Sequence, residues 1–316
     1  MAQQPRVTVV VATYNRVAHL PGLVRALEAQ TLPRDEFDVV IVDDASPDGT
    51  ATRLHELKAT SSIALRVVNN ETNRGPAVAR NRGWRLSDAP VVAFTDDDCL
   101  PAPRWLEAGL EQLADPAVGI VQGRTIPDPS ARMDGWAKSV QIEEFSNRYE
   151  TCNIFYRTQV LRDAGGFDET MPFFGEDTVL GWTAKREGVR SAFAPDAEVH
   201  HAVTYPGRRY FLLWASQHGN WATLIKRFPE MRHEVLWLSL FTKKRHAALI
   251  GAAAGLAAGA LWPPAFALAI PYVWNQRPRS LERSELVDHF LLGTAFDVAV
   301  VAGLVKGSVR ERTLVL

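Results

Sequence analysis

Three consecutive carboxylates, Asp96, Asp97 and Asp98, follow directly on the apolar run Val91-Val92-Ala93-Phe94 and Thr95. A buried strand whose carboxyl tip emerges into a cleft has this pattern. On extended backbone, side chains at i and i+2 share a face, so Asp96 and Asp98 are expected to converge while Asp97 points elsewhere. Two converging carboxylates with coordination positions left open suit a hard divalent cation shared with a diphosphate. An acidic turn after a strand is the plainer reading of the same residues. Context separates the two: two other apolar runs end in polar or acidic residues, one at Thr13 and one at Asp43-Asp44.

The elements that must position these tips alternate along the first hundred residues. The β-branched run Val7 to Ala12 reads as a buried parallel strand, and Leu20, Leu23, Val24 and Leu27 follow at helical spacing. Phe37 to Val42 reads as a second strand, followed by a helix carrying Leu54 and Leu57. Ile63 to Val68 reads as a third, and Pro76 opens a helix running to about Leu86. Strands alternating with helices predict an α/β fold with a mostly parallel central sheet. In such sheets ligands bind beyond the carboxyl ends of the strands, where Thr13, Asp43-Asp44 and Asp96 to Asp98 all lie. Asp43 in its tight turn also suits a cap on the following helix.

Composition narrows the class. The chain has 316 residues, 47% hydrophobic and 22% charged, which are globular values. A net charge of −1 gives no reason to expect nucleic acid as a partner. Two cysteines, Cys99 and Cys152, lack metal-binding spacing and suit a reduced, cytosol-facing protein. The apolar run 7–12 is too short for a signal peptide. No G-x-G-x-x-G follows the first strand and no G-x-x-x-x-G-K-[ST] occurs, which argues against dinucleotide-binding and P-loop folds. Without a glycine nest for phosphates, a bound cation is the remaining way to neutralise them.

The ordered set VVVATYNR (9–16), VIVDDASPDGT (40–50), NRGPAVARN (73–81), FTDDDCLP (94–101), GGFDE (165–169) and GEDTVLGW (175–182) resembles the family 2 glycosyltransferases. The resemblance covers roughly residues 6–228. It implies a GT-A nucleotide-sugar-binding domain over residues 1–228, followed by a hydrophobic helical region over 229–316. It further implies that Ala12 and Thr13 touch the nucleobase and that Asp44 bonds its imide edge. Arg80 closes the nucleotide pocket or orients its loop, and Asp96 or Asp97 holds the ribose. Asp98 becomes the main ligand of Mg²⁺ or Mn²⁺, with Asp96 beside it and His201 (His200 as the fallback) as a further ligand. Asp177 takes the general-base role of an inverting transfer, which also suits an N-cap for a helix over Thr178 to Arg186. Glu176, Trp182 and Asn153 are placed at the acceptor. Acceptor specificity is assigned to residues 123–150, where the motifs run out.

One element departs from the family pattern. Processive members carry Q-x-x-R-W, whereas this chain has Gln217-His218-Gly219-Asn220-Trp221, which points to transfer of a single sugar. The aromatic and basic stretch Tyr205 to Phe228 suits a membrane-interface helix, a lipid-linked acceptor or an ordinary amphipathic helix. Ala247 to Trp274 contains no charge, but Pro263-Pro264 and Pro271 interrupt it. Leu286 to Val305 is apolar apart from Asp288, His289 and Asp297, which are costly in lipid. Lys243-Lys244-Arg245 and Lys306, Arg310 and Arg312 favour a cytoplasmic side for both ends, which Arg277, Arg279 and Arg283 in the connecting turn fit poorly. The expectation is association with the cytoplasmic face of the cell membrane, with true spanning left open; a hairpin in the inner leaflet, a helical pair buried in an oligomer interface and a cytoplasmic location are the alternatives. The expected partners are a nucleotide-diphosphate sugar and a glycan or lipid-linked acceptor. Two rival classes are a sugar-phosphate nucleotidyltransferase, whose glycine-rich loop is missing after the first strand, and a non-catalytic membrane-anchored scaffold.

Overall fold

β1 (Val7–Thr13) is buried along almost its whole length, as a β-branched run with a strand on each side must be. In the computed structural model, which describes residues 4–132, 137–171, 175–205, 207–276 and 286–316, β1 is the pivot of an eight-stranded sheet. On one side β2 (Phe37–Asp43) and β3 (Ala64–Asn69) add in parallel, and on the other β4 (Val91–Thr95) does the same. α1 (Leu20–Glu28), α2 (Thr50–Thr60) and α3 (Pro76–Trp84) connect them. α1 buries Leu20, Leu23, Val24 and Leu27, the face its spacing predicts.

Beyond β4 follow β5 (Cys99–Pro101), α4 (Trp105–Gln112), β6 (Val118–Pro127), β7 (Asn153–Arg157), α5 (Thr158–Asp163), α6 (Glu176–Arg186) and β8 (Arg190–His201). The strand order is β3-β2-β1-β4-β7-β6-β8-β5. β7 runs antiparallel to both β4 and β6, and β5 antiparallel to β8. The sheet is therefore α/β as expected but mixed, with its parallel half built from the first four strands. The chain turns from one side of β1 to the other between β3 and β4, a topological switch point of the kind that binds ligands. β1 pairs with β2 up to Thr13↔Asp43, but its pairing with β4 stops at Val10↔Phe94. Past that point β1 and β4 are no longer paired.

Contacts divide the chain into Met1–Arg132 with Lys138–Thr204, and Met133–Ala137 with Tyr205–Leu316. This division falls ahead of the expected boundary at 228. The second unit holds α7 (Arg208–Ser216), α8 (Asn220–Arg227), α9 (Met231–Val235), α10 (Lys244–Gly259), α11 (Ile270–Asn275) and α12 (Leu286–Glu311), with 3₁₀ turns at Gln217–Gly219 and Pro263–Ala269. The Q-x-x-x-W segment is a helix-packing element here. A Cβ on Gly307 of α12 would lie 2.2 Å from the Gly219 carbonyl oxygen, and one on Gly303 would lie 2.4 Å from that of Ser216.

The uncharged stretch 247–274 is broken by its prolines into α10, a 3₁₀ turn and α11. Among the described residues, Phe290–Glu311 is the one stretch long and apolar enough to cross a membrane by length and composition. Asp297 on it is fully buried. It pairs with Arg245 at 2.9 Å and accepts hydrogen bonds from Tyr272 and Gln276 at 3.1 Å each. Arg277, Arg279 and Arg283, and the side chains of Asp288 and His289, lie outside the described residues.

Candidate active site

The three carboxylates after β4 are not held in extended backbone. The strand ends at Thr95, and Asp97 and Asp98 form a turn, so the alternation that predicted convergence of Asp96 with Asp98 does not apply. Asp96 faces Arg80, whose Nη2 donates to it at 2.9 Å. Asp97 and Asp98 instead share Arg16, with Nε 3.6 Å from Asp97 and Nη2 3.4 Å from Asp98. Arg16 belongs to the turn after β1, so this pairing ties together the tips of β1 and β4 beyond the end of their ladder. Burial pushes the Asp97 carboxyl up to about 7, and the neighbouring Asp98 charge adds to the rise. The Thr13 hydroxyl is buried near Asp97 but outside hydrogen-bond geometry.

Asp98 has a second neighbour. β5 pairs with β8 in the register Cys99↔His201, which brings His201 Nε2 to 3.6 Å from Asp98 Oδ1. His201 Nδ1 lies 2.9 Å from the Ala202 carbonyl oxygen. A carbonyl can only accept, so Nδ1 carries the proton of the neutral ring and Nε2 presents its lone pair to Asp98. Two acceptors facing one another fit a divalent cation, and the backbone bond that orients the ring is the usual outer support of a metal-binding histidine. Asp98, Cys99 and His201 have ligand atoms within 4.8 Å of one another. The Cys99 thiol is fully buried, and burial raises its pKa well above the ordinary range, which leaves it a poor source of thiolate. Asp96, expected as a ligand, is outside this group and is paired with Arg80. His200 is drawn away by Glu198, 2.8 Å from its Nε2. Lys138 also stands close enough to Asp98 to interact with its charge.

Before α6, Gly175 takes φ 101° to turn the chain into the helix, a left-handed conformation that a side chain would strain. Gly175 is the N-cap and the helix begins at Glu176. Asp177 therefore lies in the first turn and is not the cap that the sequence suggested. Its Oδ1 accepts the Thr178 backbone N–H at 2.7 Å. Burial, then the charges of Glu176 and Glu150, hold its carboxyl well above the usual carboxylate range, against the opposing pull of Arg80. Glu176 is buried and accepts from Arg80 Nη1 at 2.8 Å. Arg80 thus bridges Asp96, after the β4 tip, to Glu176 at the start of α6.

Several expected contact residues turn out to be structural supports. Asp44 accepts the backbone N–H groups of Arg74 (3.0 Å) and Gly75 (2.7 Å) and the Asn70 amide (2.6 Å). It clamps the loop before α3. Asn153 is fully buried: its amide donates to the Arg124 and Ala197 carbonyls, and its oxygen accepts from Trp105. That places it in the packing between β7, β6 and β8, not at an acceptor. Trp182 is buried, with its indole N–H bonded to the Asn147 carbonyl at 2.9 Å, and so holds the loop before β7. Asp43 bonds Ser46 in its own turn, and Asp48 bonds the first residue of α2 in its place. Ala12 is partly exposed at the tip of β1. Sequence reasoning assigned no individual role to Arg16, Lys138 or Glu150, although the last two lie in the segment 123–150 given to acceptor specificity. Of these only Arg16 stood inside a recognised motif.

Residues 8–168, about half of the chain, match the family model described as glycosyl transferase family 2. Glycosyltransferase AglE of Haloferax volcanii is 30% identical over 61% of this chain and 65% of its own length. The pre-mycofactocin glycosyltransferase of Mycobacterium tuberculosis is 29% identical over 71% of this chain and 48% of its own. The chain thus spans less than two thirds of the length of either relative. The solved mannosyltransferase PcManGT of Pyrobaculum calidifontis, in complex with GDP-Man and Mn²⁺, superposes with a TM-score of 0.70 at 26% identity, over 96% of this chain and 87% of that one.

Proposed function

The chain belongs to glycosyl transferase family 2, and on that footing we propose that it moves one sugar from a nucleotide-diphosphate donor to an acceptor hydroxyl, with inversion. The observation that carries this reading is the double ion pair of Arg80 with Asp96 and Glu176. It ties the acidic turn after β4, which carries the proposed cation ligand Asp98, to the first turn of α6, which carries the proposed base Asp177. The GDP-Man and Mn²⁺ bound by PcManGT support a nucleoside diphosphate sugar and a divalent cation here.

Asp98 and His201 are the residues that would hold Mg²⁺ or Mn²⁺, which when bound offsets the charge of the departing nucleoside diphosphate. Arg16, spread over Asp97 and Asp98, presents guanidinium N–H groups where the phosphates enter. Asp177 accepts the proton of the acceptor hydroxyl as that oxygen attacks the anomeric carbon. A carboxyl that burial and neighbouring acids hold above the usual carboxylate range is a stronger base than an ordinary aspartate, which suits this work. Attack in line with the departing diphosphate inverts the anomeric centre. Arg80 fixes Asp96 and Glu176, and through them the spacing between donor and base. The acceptor is a glycan or a lipid-linked glycan, met at the cytoplasmic face of the cell membrane.

Titration calorimetry with UDP, GDP and dTDP, with and without Mn²⁺, tests the reading. One diphosphate should bind only with Mn²⁺, and Asp98→Ala should weaken it at least about tenfold, the scale of lost metal-site support. A scaffold without enzymatic function predicts no such binding. Asp177→Asn should lower transfer by about 10²–10⁴-fold, the usual contribution of a positioned base, while nucleotide affinity stays. Equal loss of both would reject the base assignment.

A further inference from the structure

The second unit carries a surface that water does not suit. From Ala247 to Trp274 there is no charged residue, and the stretch folds back on itself as α10, a 3₁₀ turn and α11. The arms close on small residues: a Cβ on Gly255 would meet the Ala265 carbonyl oxygen at 2.5 Å, and one on Gly259 the Phe266 ring at 2.4 Å. With the inner faces sealed, the outer ones project large apolar side chains. Leu261 is 93% exposed and Trp262 65%, with Leu256, Phe266, Ile270 and Trp274 also exposed.

We propose that this hairpin inserts into one leaflet of a lipid bilayer and returns without crossing it. This deepens the membrane association proposed above and is independent of donor chemistry. Three observations select lipid as the occupant. A protein partner covers one face of a helix, whereas a helix that is apolar all round belongs in a large core or in a membrane. α10 has 16 residues, about 24 Å at 1.5 Å per residue, short of the roughly 30 Å hydrocarbon core. Lys243 and Lys244, both exposed, stand at its base, where anionic headgroups complement them, and Trp274, at the end of the returning arm, is of a type favoured at the membrane interface. α12, the longer apolar helix, keeps Asp297, Val300 and Leu304 buried within its own unit.

The test is flotation of the full chain with phosphatidylcholine vesicles and with vesicles containing 30% phosphatidylglycerol. The chain should float with both, more strongly with the anionic ones. The double variant Leu261→Asp, Trp262→Asp should float at least tenfold less and still bind nucleoside diphosphate with Mn²⁺, while Val298→Asp, Val305→Asp on α12 should float as the parent does. Loss confined to the α12 variant would overturn the proposal, as would a parent chain that stays unbound and buries the hairpin in a dimer by light scattering. Quenching of the unmutated chain's tryptophan emission by lipids brominated at shallow acyl positions supplies a readout that needs no variant, and no quenching would also reject insertion. Nucleotide binding is measured without lipid, so failure of the donor reading is seen separately.

Discussion

As the proposed base, Asp177 has to lose a proton in a place built to keep it. Burial and the charges of Glu176 and Glu150 raise its carboxyl, and Arg80 restrains the rise. The sign for stability follows: between the ordinary carboxylate range and the raised value, the unfolded chain releases a proton that the folded chain retains, so ionising Asp177 costs stability as pH rises. For activity the ionised form is needed, so the rate should fall on acidification through the raised value. Glu150 is the neighbour that can be neutralised most simply, because its own partners are Gln122, Ser146 and Arg148 and not Arg80. Glu150→Gln should move the acidic limb of the kcat/KM profile to lower pH. An unmoved limb would show that the charge of Glu150 does not reach the base.

The second unit turns on one helix contact. α12 approaches the turn 217–219 through Gly303 and Gly307, with backbone against backbone, and it cannot do so with larger residues in their place. Gly307→Val would put two methyl groups where the Gly219 carbonyl and Cα already sit. Overpacking of this kind costs about 1–3 kcal/mol, and here backbone has to move. Chemical denaturation should show that loss. Nucleoside diphosphate binding, which the proposed function assigns to residues at the ends of β1, β4 and β8, should stay at its parent value. A simultaneous loss of nucleotide affinity would mean that the contact does more than hold its own unit together.

Over the whole molecule, charge is almost balanced, with a net of −1 and an isoelectric point near 6.7, while the second unit exposes a large apolar surface. Charge repulsion normally keeps such surfaces apart, and it vanishes near the isoelectric point. In detergent-free buffer, light scattering should therefore rise most steeply near pH 6.7. It should fall at pH 8.5 and on addition of phosphatidylcholine vesicles. Scattering that ignores pH and vesicles alike would mean that apolar contact between chains is not the cause.

The sequence by itself determined the periodic parts. β1 to β4 and the helices between them are local patterns, and the order of the motifs placed Asp98, His201 and Asp177 in one expected site. Register then favoured His201 over His200, since alternation along a strand is a local property. What only the tertiary structure decided is where polar side chains spend their bonds. Asp44, Asn153 and Trp182 look like ligand contacts in sequence, but their partners lie tens of residues away, in loops and strands whose approach no local pattern encodes. The same reason explains Asp96 and Asp98. Alternation was applied to residues that form a turn, and the arginines that claim them, Arg80 and Arg16, arrive from α3 and from the turn after β1. Asp297 is the counterpart in the second unit: a charge that hydropathy counts against a buried helix is offset by Arg245, from an element fifty residues earlier in the chain.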